Sequence, residues 1–310
     1  MTTALVVVIG ALVSLWAVLR LRPVPSVQLL LRVARRALGM RYQRVRVAGE
    51  PWVYLEGGPS SAPVILFVHG YGADKDMWLS YSRLFSRRYQ VISPDLPGFG
   101  EATRDPERDY SPRAQARRLA AFCDALRIKD AHVVGSSMGG FISAWLSVDR
   151  ADLVRTLTLM NAAGLYGANP SVVQTVAESG DNPLVAADDA GLKQLLGLLT
   201  YKPIRLPRFV REFLLAGYKT NQVLLDRIFW QLVEAHDSEG LEPALARVRA
   251  PTLIVWGKED QVLDASCAAA YAQAIPNAEL LMLEQVGHVP MYEAPATTAA
   301  AQRALFSPRD

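Results

Sequence analysis

Ala131-His132-Val133-Val134-Gly135-Ser136-Ser137-Met138-Gly139-Gly140-Phe141 is the stretch on which the reading of this chain turns. The apolar run to Val134 predicts a strand and the residues from Gly139 to Val148 predict a helix, so Gly135 to Gly139 must turn sharply between them. In such a turn the central residue takes a strained backbone conformation. Glycines two positions before and two after it remove Cβ atoms that would collide. Ser137 is then presented at the end of a sheet, with helix N-terminal amides behind it. A Gly-x-Ser-x-Gly pattern also arises in ordinary Gly/Ser loops, so its meaning depends on the rest of the chain.

Short apolar runs recur on both sides of this turn. Val64 to Val68, Gln90 to Ser93, Ala131 to Val134, Thr156 to Met160, Thr252 to Trp256 and Glu279 to Leu283 are predicted strands. Their continuous apolar character suits parallel strands covered on both faces. Met77 to Arg88, Ser111 to Arg127, Gly139 to Val148, Ala265 to Ala274 and Pro295 to Phe306 are the helices between them. This βαβ succession predicts an α/β fold, a mostly parallel, doubly wound sheet. Ahead of it the hydrophobic period changes to two. Val45 and Val47, then Trp52 and Tyr54 across Ala48-Gly49-Glu50, read as an N-terminal hairpin.

Between about Gly164 and Arg249 no strand is predicted. Several helices are, among them Phe209 to Tyr218 followed by Val223 to Ala235. The core is therefore assigned to 43–163 and 250–308, and a helical cap to 164–249. The bulky Phe209, Phe213, Phe229 and Trp230 are candidates to line a tunnel between cap and sheet, the plainer role being to pack the cap's own core.

At 310 residues, 51% hydrophobic and 20% charged, the chain has the composition of a globular α/β domain with an insertion, and disorder is excluded. The net charge of +3 is concentrated near the N-terminus, where Arg20, Arg22, Arg32, Arg35, Arg36, Arg41, Arg44 and Arg46 face Glu50 alone. Ala4 to Leu19 is uninterrupted and apolar, near the lower limit of roughly 17 to 25 residues for a spanning helix. Residues 1–22 are read as an uncleaved membrane anchor, because Met1-Thr2-Thr3 offers no positive n-region and no small-x-small site follows Leu19. The arginines after it put the main domain on the cytoplasmic side. Residues 23–42 read as a basic amphipathic segment with Val27, Leu30, Leu31, Ala34 and Leu38 on one face and Arg32, Arg35 and Arg36 near the other. It suits either an anionic membrane surface or the body of the protein.

A serine hydroxyl is a poor nucleophile at neutral pH, so Ser137 needs a base, and the base needs an acid to orient it. Among four histidines, His288 stands in Gly287-His288-Val289-Pro290 after the last predicted strand and is the candidate base. His69 is expected to hold the loop after its strand, His132 to pack within a strand, and His236 to be exposed on the cap. The acid should precede His288 and follow a strand, which favours Asp260 over Glu259 and Asp264. The oxyanion hole is assigned to the backbone N–H of Met138 and to that of Tyr71, in the glycine-rich His69-Gly70-Tyr71-Gly72. Cys123 and Cys267 suggest neither a disulfide framework nor a metal site. No cofactor or metal is expected, and nothing in the chain suits a nucleotide or nucleic acid.

Separated motifs carry a family resemblance. His69 to Trp78, Pro94-Asp95-Leu96-Pro97-Gly98-Phe99-Gly100, Gly135 to Gly140, Asn182-Pro183-Leu184, Gly257 to Val262 and Gly287 to Met291 make the chain, from about Arg44 to Phe306, similar to the α/β-hydrolases. In detail it resembles bacterial cold-active lipases and membrane-anchored monoacylglycerol lipases. The resemblance implies a serine ester hydrolase acting on acyl chains, with Ser137, Asp260 and His288 as triad and Tyr71 and Met138 as oxyanion hole. A medium to long acyl ester is the expected substrate, and the membrane the expected partner through the N-terminal segment. Two alternatives stay open. One is carbon–carbon bond hydrolysis on the same fold, for which the cap's Arg205, Arg208 and Arg211 would have to bind an anionic substrate. The other is a catalytically silent, membrane-tethered binding protein.

Overall fold

The change to a period of two after Gln43 has a direct outcome in the computed structural model, which describes residues 22–307. β1 (Arg41–Val47) and β2 (Glu50–Gly57) pair antiparallel across Ala48-Gly49, both with positive φ. β2 then pairs antiparallel with β4 (Gln90–Pro94). From there the sheet is parallel through β3 (Val64–Val68), β5 (Ala131–Ser136), β6 (Val154–Met160), β7 (Thr252–Gly257) and β8 (Ala278–Leu283). The strand order is β1-β2-β4-β3-β5-β6-β7-β8. Chain direction across the sheet reverses beside β3, so the loops after β3 and β5 meet at the edge where such sheets bind ligands. All six predicted parallel-sheet strands are present.

β3 shows why these strands are apolar without alternation. Ile65 and Phe67 join one buried cluster, with Trp78, Tyr81, Phe85 and Phe306. Leu66 and Val68 join the other, with Leu119, Phe141, Ile142 and Trp145. Both faces are covered by helices, and all five residues of β3 are hydrophobic. The predicted helix Met77 to Arg88 is instead a 3₁₀ turn, Lys75–Trp78, and one α-turn, Leu79–Ser82. Trp78, Tyr81 and Phe85 gather on the Phe67 ring at centroid distances of 4.7, 6.0 and 6.1 Å. Packing on one strand residue overrides helix continuity there.

Between β6 and β7 lie the helices Val172–Glu178, Asp189–Leu199, Arg208–Ser238 and Leu241–Ala244, with no strand among the described residues. Phe209 to Tyr218 and Val223 to Ala235 are not two helices but parts of one, 31 residues long. The polar Lys219-Thr220-Asn221-Gln222 does not break it. Thr220 Oγ1 and Asn221 Nδ2 donate to the carbonyls of Ala216 and Gly217 one turn earlier, each at 2.8 Å, so both side chains are satisfied inside the helix.

The basic segment forms the helix Pro23–Ala37, which packs along the long cap helix. Its faces differ from the expected pattern. Arg35 turns inward and forms a bidentate pair with Asp76 (Nε to Oδ1 2.7 Å), while Leu30 is exposed with Leu29 and Val33. A partly buried carboxylate at Asp76 attracts the guanidinium more strongly than the periodicity of the helix would allow. Among the described residues no helix is long and apolar enough to cross a membrane, and the expected anchor Ala4 to Leu19 lies outside them.

Candidate active site

β5 ends at Ser136 and the next helix runs Met138–Asp149, leaving Ser137 as the single residue between them. Its φ of 55° and ψ of −124° are strained for a residue with a side chain, at a cost of roughly 1–3 kcal/mol. Backbone bonds hold it there: Ser137 N–H donates to Met160 O at 3.0 Å, and its carbonyl accepts from Gly140 and Ala163 at 2.8 and 3.0 Å. A Cβ on Gly135 would run into the Gly139 carbonyl, and one on Gly139 into the carbonyls of Val68 and His69. Both glycines of the pentapeptide are thus required by the close approach of β5, its helix and the end of β3.

His288 and Asp260 meet across 28 residues of chain. His288 Nδ1 lies 2.9 Å from Oδ2 and 3.1 Å from Oδ1 of Asp260, and both side chains are buried. Facing a carboxylate, Nδ1 carries the proton and Nε2 is left as the acceptor. Asp260 is itself held by three further donors: the N–H groups of Val262 (2.9 Å) and Leu263 (3.2 Å), and Asn161 Nδ2 (2.7 Å). The rival acids have other partners. Glu259 accepts from Val286 N–H at 2.9 Å and braces the loop that carries His288, while Asp264 accepts from Ser266 N–H at 3.0 Å. Asn161, at the end of β6 with φ 42°, is absent from the sequence reading.

The other histidines are placed as follows. His69 Nε2 accepts from Leu96 N–H at 3.0 Å and Nδ1 donates to Gly70 O at 2.8 Å, tying the β3 loop to the β4 loop. Burial lowers its pKa to about 4, so it is neutral. His132 bonds Thr156 Oγ1 at 2.9 Å within the sheet. His236 departs from expectation: it is half-buried beneath the cap, with its ring 5.5 Å from Phe141 and 5.1 Å from Tyr166, because the long helix turns this residue toward the sheet.

Tyr71 lies in the loop after β3 and Met138 opens the helix after Ser137, and neither N–H has a protein acceptor among the described residues. The Tyr71 phenol is fully engaged, donating to Leu225 O at 2.8 Å and accepting from Asn182 Nδ2 at 2.9 Å. Asn182 also donates to Asp226 at 2.9 Å and accepts from Leu184 N–H at 3.0 Å. The Asn182-Pro183-Leu184 turn therefore locks the cap to the Tyr71 loop.

A buried ion cluster braces that loop from behind. Lys75 Nζ lies 2.9 Å from Asp95, 3.0 Å from Glu101 and 3.7 Å from Asp76. Asp95 also accepts from the N–H groups of Lys75 and Glu101, each at 2.8 Å. Burial pulls the Lys75 pKa down, but Asp95, Asp74 and Asp76 outweigh it and raise it. Asp74 is pushed up to about 6, by burial first and then by Asp95 and Asp76.

A cavity of about 420 Å³ reaches Ser137 between cap and sheet. Its walls are mainly apolar and include Leu184, Val262, Phe229 and Trp230. Phe209 and Phe213 do not line it. Phe213 instead faces a separate groove with Leu29 and Val33 of the N-terminal helix. Arg205 is exposed, and Arg208 and Arg211 pair with Glu212 and Asp189, so none of the three cap arginines reaches the cavity. Among the described residues no three His, Cys, Asp or Glu side chains converge to hold a metal ion.

A strained serine between strand and helix, at the end of a β1-β2-β4-β3-β5-β6-β7-β8 sheet, defines a fold class, and the family model for the alpha/beta hydrolase fold matches residues 63–295. The chain belongs to the α/β-hydrolase family. It is 31% identical to monoacylglycerol lipase ABHD6 of Bos taurus, over 86% of this chain and 82% of that one. It is 33% identical to Lipase 1 of Psychrobacter immobilis, over 84% and 82%. A crystal structure of a membrane phospholipase A, described as a bacterial virulence factor, superposes with a TM-score of 0.88 at 33% identity, covering 99% of this chain and 98% of that one.

Proposed function

We propose that this protein is a carboxylester hydrolase of the lipase type, cleaving medium to long acyl esters such as monoacylglycerols at Ser137. The observation that carries the reading is the Asp260–His288 pair at 2.9 Å together with a strained Ser137 at the end of a largely apolar cavity. His288 Nε2 takes the Ser137 proton as Oγ bonds to the ester carbonyl carbon, and the carbonyl oxygen becomes an oxyanion facing the N–H groups of Tyr71 and Met138. Collapse breaks the bond to the alcohol, which leaves with the proton from His288. Water then adds to the acyl-enzyme through the same base, releasing the fatty acid and restoring Ser137. Asp260 keeps the imidazole in one tautomer and stabilises its cation. Phe229 and Trp230 are assigned to the acyl wall.

The N-terminal segment places this chemistry at a membrane. Residues 1–22 anchor the chain, and the helix Pro23–Ala37 presents exposed Leu29, Leu30 and Val33 beside exposed Arg32 and Arg36, a composition suited to an anionic lipid surface. The arginines after the anchor favour a cytoplasmic main domain. Likeness to proteins named monoacylglycerol lipase, lipase and membrane phospholipase A supports the same reading.

The test is hydrolysis rate against acyl chain length, with p-nitrophenyl esters and monoacylglycerols, for wild type and Ser137→Ala side by side. A Ser137-dependent optimum at eight carbons or more is expected. Turnover confined to acetate, or no turnover of any ester, would overturn the proposal.

A further inference from the structure

We propose that the mouth of the Ser137 cavity sorts esters by the charge of the head group, accepting cationic and neutral head groups and rejecting anionic ones. The inference rests on the esterase reading above and adds to it which alcohol the site takes. Three carboxylates, Glu178, Asp237 and Asp264, line the cavity, and no lysine or arginine does. None of the three forms an ion pair with a basic residue among the described residues. Asp237 accepts from Tyr166 Oη at 2.8 Å and Asp264 from Ser266 N–H at 3.0 Å, and these neutral donors orient the carboxylates without cancelling their charge. Glu178 and Asp237 are exposed, so the charge lies at the mouth, away from the apolar walls. A cleft with one sign of charge and low-dielectric walls focuses its field on what enters.

Two further features of the same cavity point to its occupant. Tyr166 lines it, remains 47% exposed and touches Asp237 through its hydroxyl, offering aromatic surface next to a carboxylate, the combination that binds alkylammonium groups. His236 supplies a neutral donor. Its Nε2 accepts from Gly164 N–H at 3.3 Å, which puts the proton on Nδ1, and that buried atom has no partner in the protein. Burial lowers the His236 pKa to about 4, so at neutral pH the ring adds no positive charge to offset the carboxylates. An unpaired buried N–H beside a cavity suits an uncharged ligand oxygen, such as a glycerol hydroxyl. A phosphate or carboxylate head group would meet three negative charges and no lysine or arginine.

The experiment uses the full-length, detergent-solubilised protein and three esters with one acyl chain, at concentrations where all are monomeric: octanoylcholine, 1-octanoylglycerol and 1-octanoylglycerol 3-phosphate. At low ionic strength kcat/KM for the choline ester is expected to exceed that for the phosphate by about tenfold or more, with the neutral ester between them. The ratio is expected to shrink near 1 M salt, where the screening length falls to about 3 Å. In the double variant Glu178→Gln/Asp237→Asn the choline-to-phosphate ratio is expected to drop by at least threefold. Fluorophosphonate labelling of Ser137 checks that the variant is folded. Turnover of octanoylglycerol with equal rates for the two charged esters, a preference for the phosphate, or a ratio unchanged in the variant would overturn this inference alone. No turnover of octanoylglycerol by wild type would overturn the esterase reading and this inference with it.

Discussion

Replacing Lys75 by methionine tests whether the ion cluster behind the Tyr71 loop holds the site together. The Lys75 side chain is 1% exposed and that of Asp95 0%, so neither charge has water to fall back on. Without the ammonium, Asp95 keeps only the N–H groups of Lys75 and Glu101, while Asp74 and Asp76 remain close by. Leaving one partner of a buried pair uncompensated costs about 3–5 kcal/mol. At roughly 2.1 cal/mol/K of unfolding entropy per residue, each kcal/mol lowers the Tm of a 310-residue chain by about 1.5 °C, so a fall of about 5–8 °C is expected. Thermal and urea unfolding followed by far-UV circular dichroism read it, and p-nitrophenyl butyrate hydrolysis well below Tm reads the Tyr71 loop. With the cation gone, Asp95 takes up a proton more readily folded than unfolded, so the loss should shrink as pH falls toward 5. The double variant Lys75→Met/Asp95→Asn should recover about 1 kcal/mol or more of the loss. A single variant that loses under about 1 kcal/mol and a strictly additive double variant would refute the argument.

Other outcomes follow from individual contacts. Asp260→Asn should lower kcat by about 10⁴ with the fold intact. Glu259→Gln should keep most turnover and lose about 1 kcal/mol of stability from the weakened bond to Val286 N–H, a contrast that ester kinetics and denaturation report together. Asp74 has a folded pKa of about 6 against roughly 3.9 unfolded, so the folded chain holds an extra proton between these values and stability falls as pH rises through that window. Asp74→Asn should flatten that slope and raise stability at pH 7, as urea midpoints across pH 4 to 7 will show. Phe229→Ala should depress kcat/KM for dodecanoyl esters several-fold more than for butanoyl esters, because its ring lines the cavity.

The parts of the fold legible in the sequence are those with a local cause. Val64 to Val68 reads as a strand because both its faces are buried, and Gly135 to Gly139 reads as a turn because each glycine answers a nearby carbonyl. What stayed hidden depends on partners distant in sequence. Asn161 meets Asp260 across 99 residues, and its only local mark is a position at a strand end where φ turns positive. Arg35 belongs by periodicity to a solvated face and is drawn in by Asp76. Thr220 and Asn221 look like a helix break until their bonds back to Ala216 and Gly217 are seen. Phe209, Phe213 and Phe229 are equivalent as bulky residues of a cap. Only the course of the long helix separates Phe229, on the cavity, from Phe213, on the groove beside the N-terminal helix. Asp260 and Glu259 are adjacent in sequence and both follow β7, so only the fold separates them, by partner: the imidazole for one, a backbone N–H for the other.

The account's central claim is that Ser137 carries the acyl group. Its most direct measurement is an acid quench of the enzyme during turnover of p-nitrophenyl octanoate, followed by intact-mass and peptide mass spectrometry. The account predicts one octanoyl adduct, confined to the peptide containing Ser137, in wild type and none in Ser137→Ala. An adduct on another residue, or hydrolysis that persists in Ser137→Ala, would contradict it.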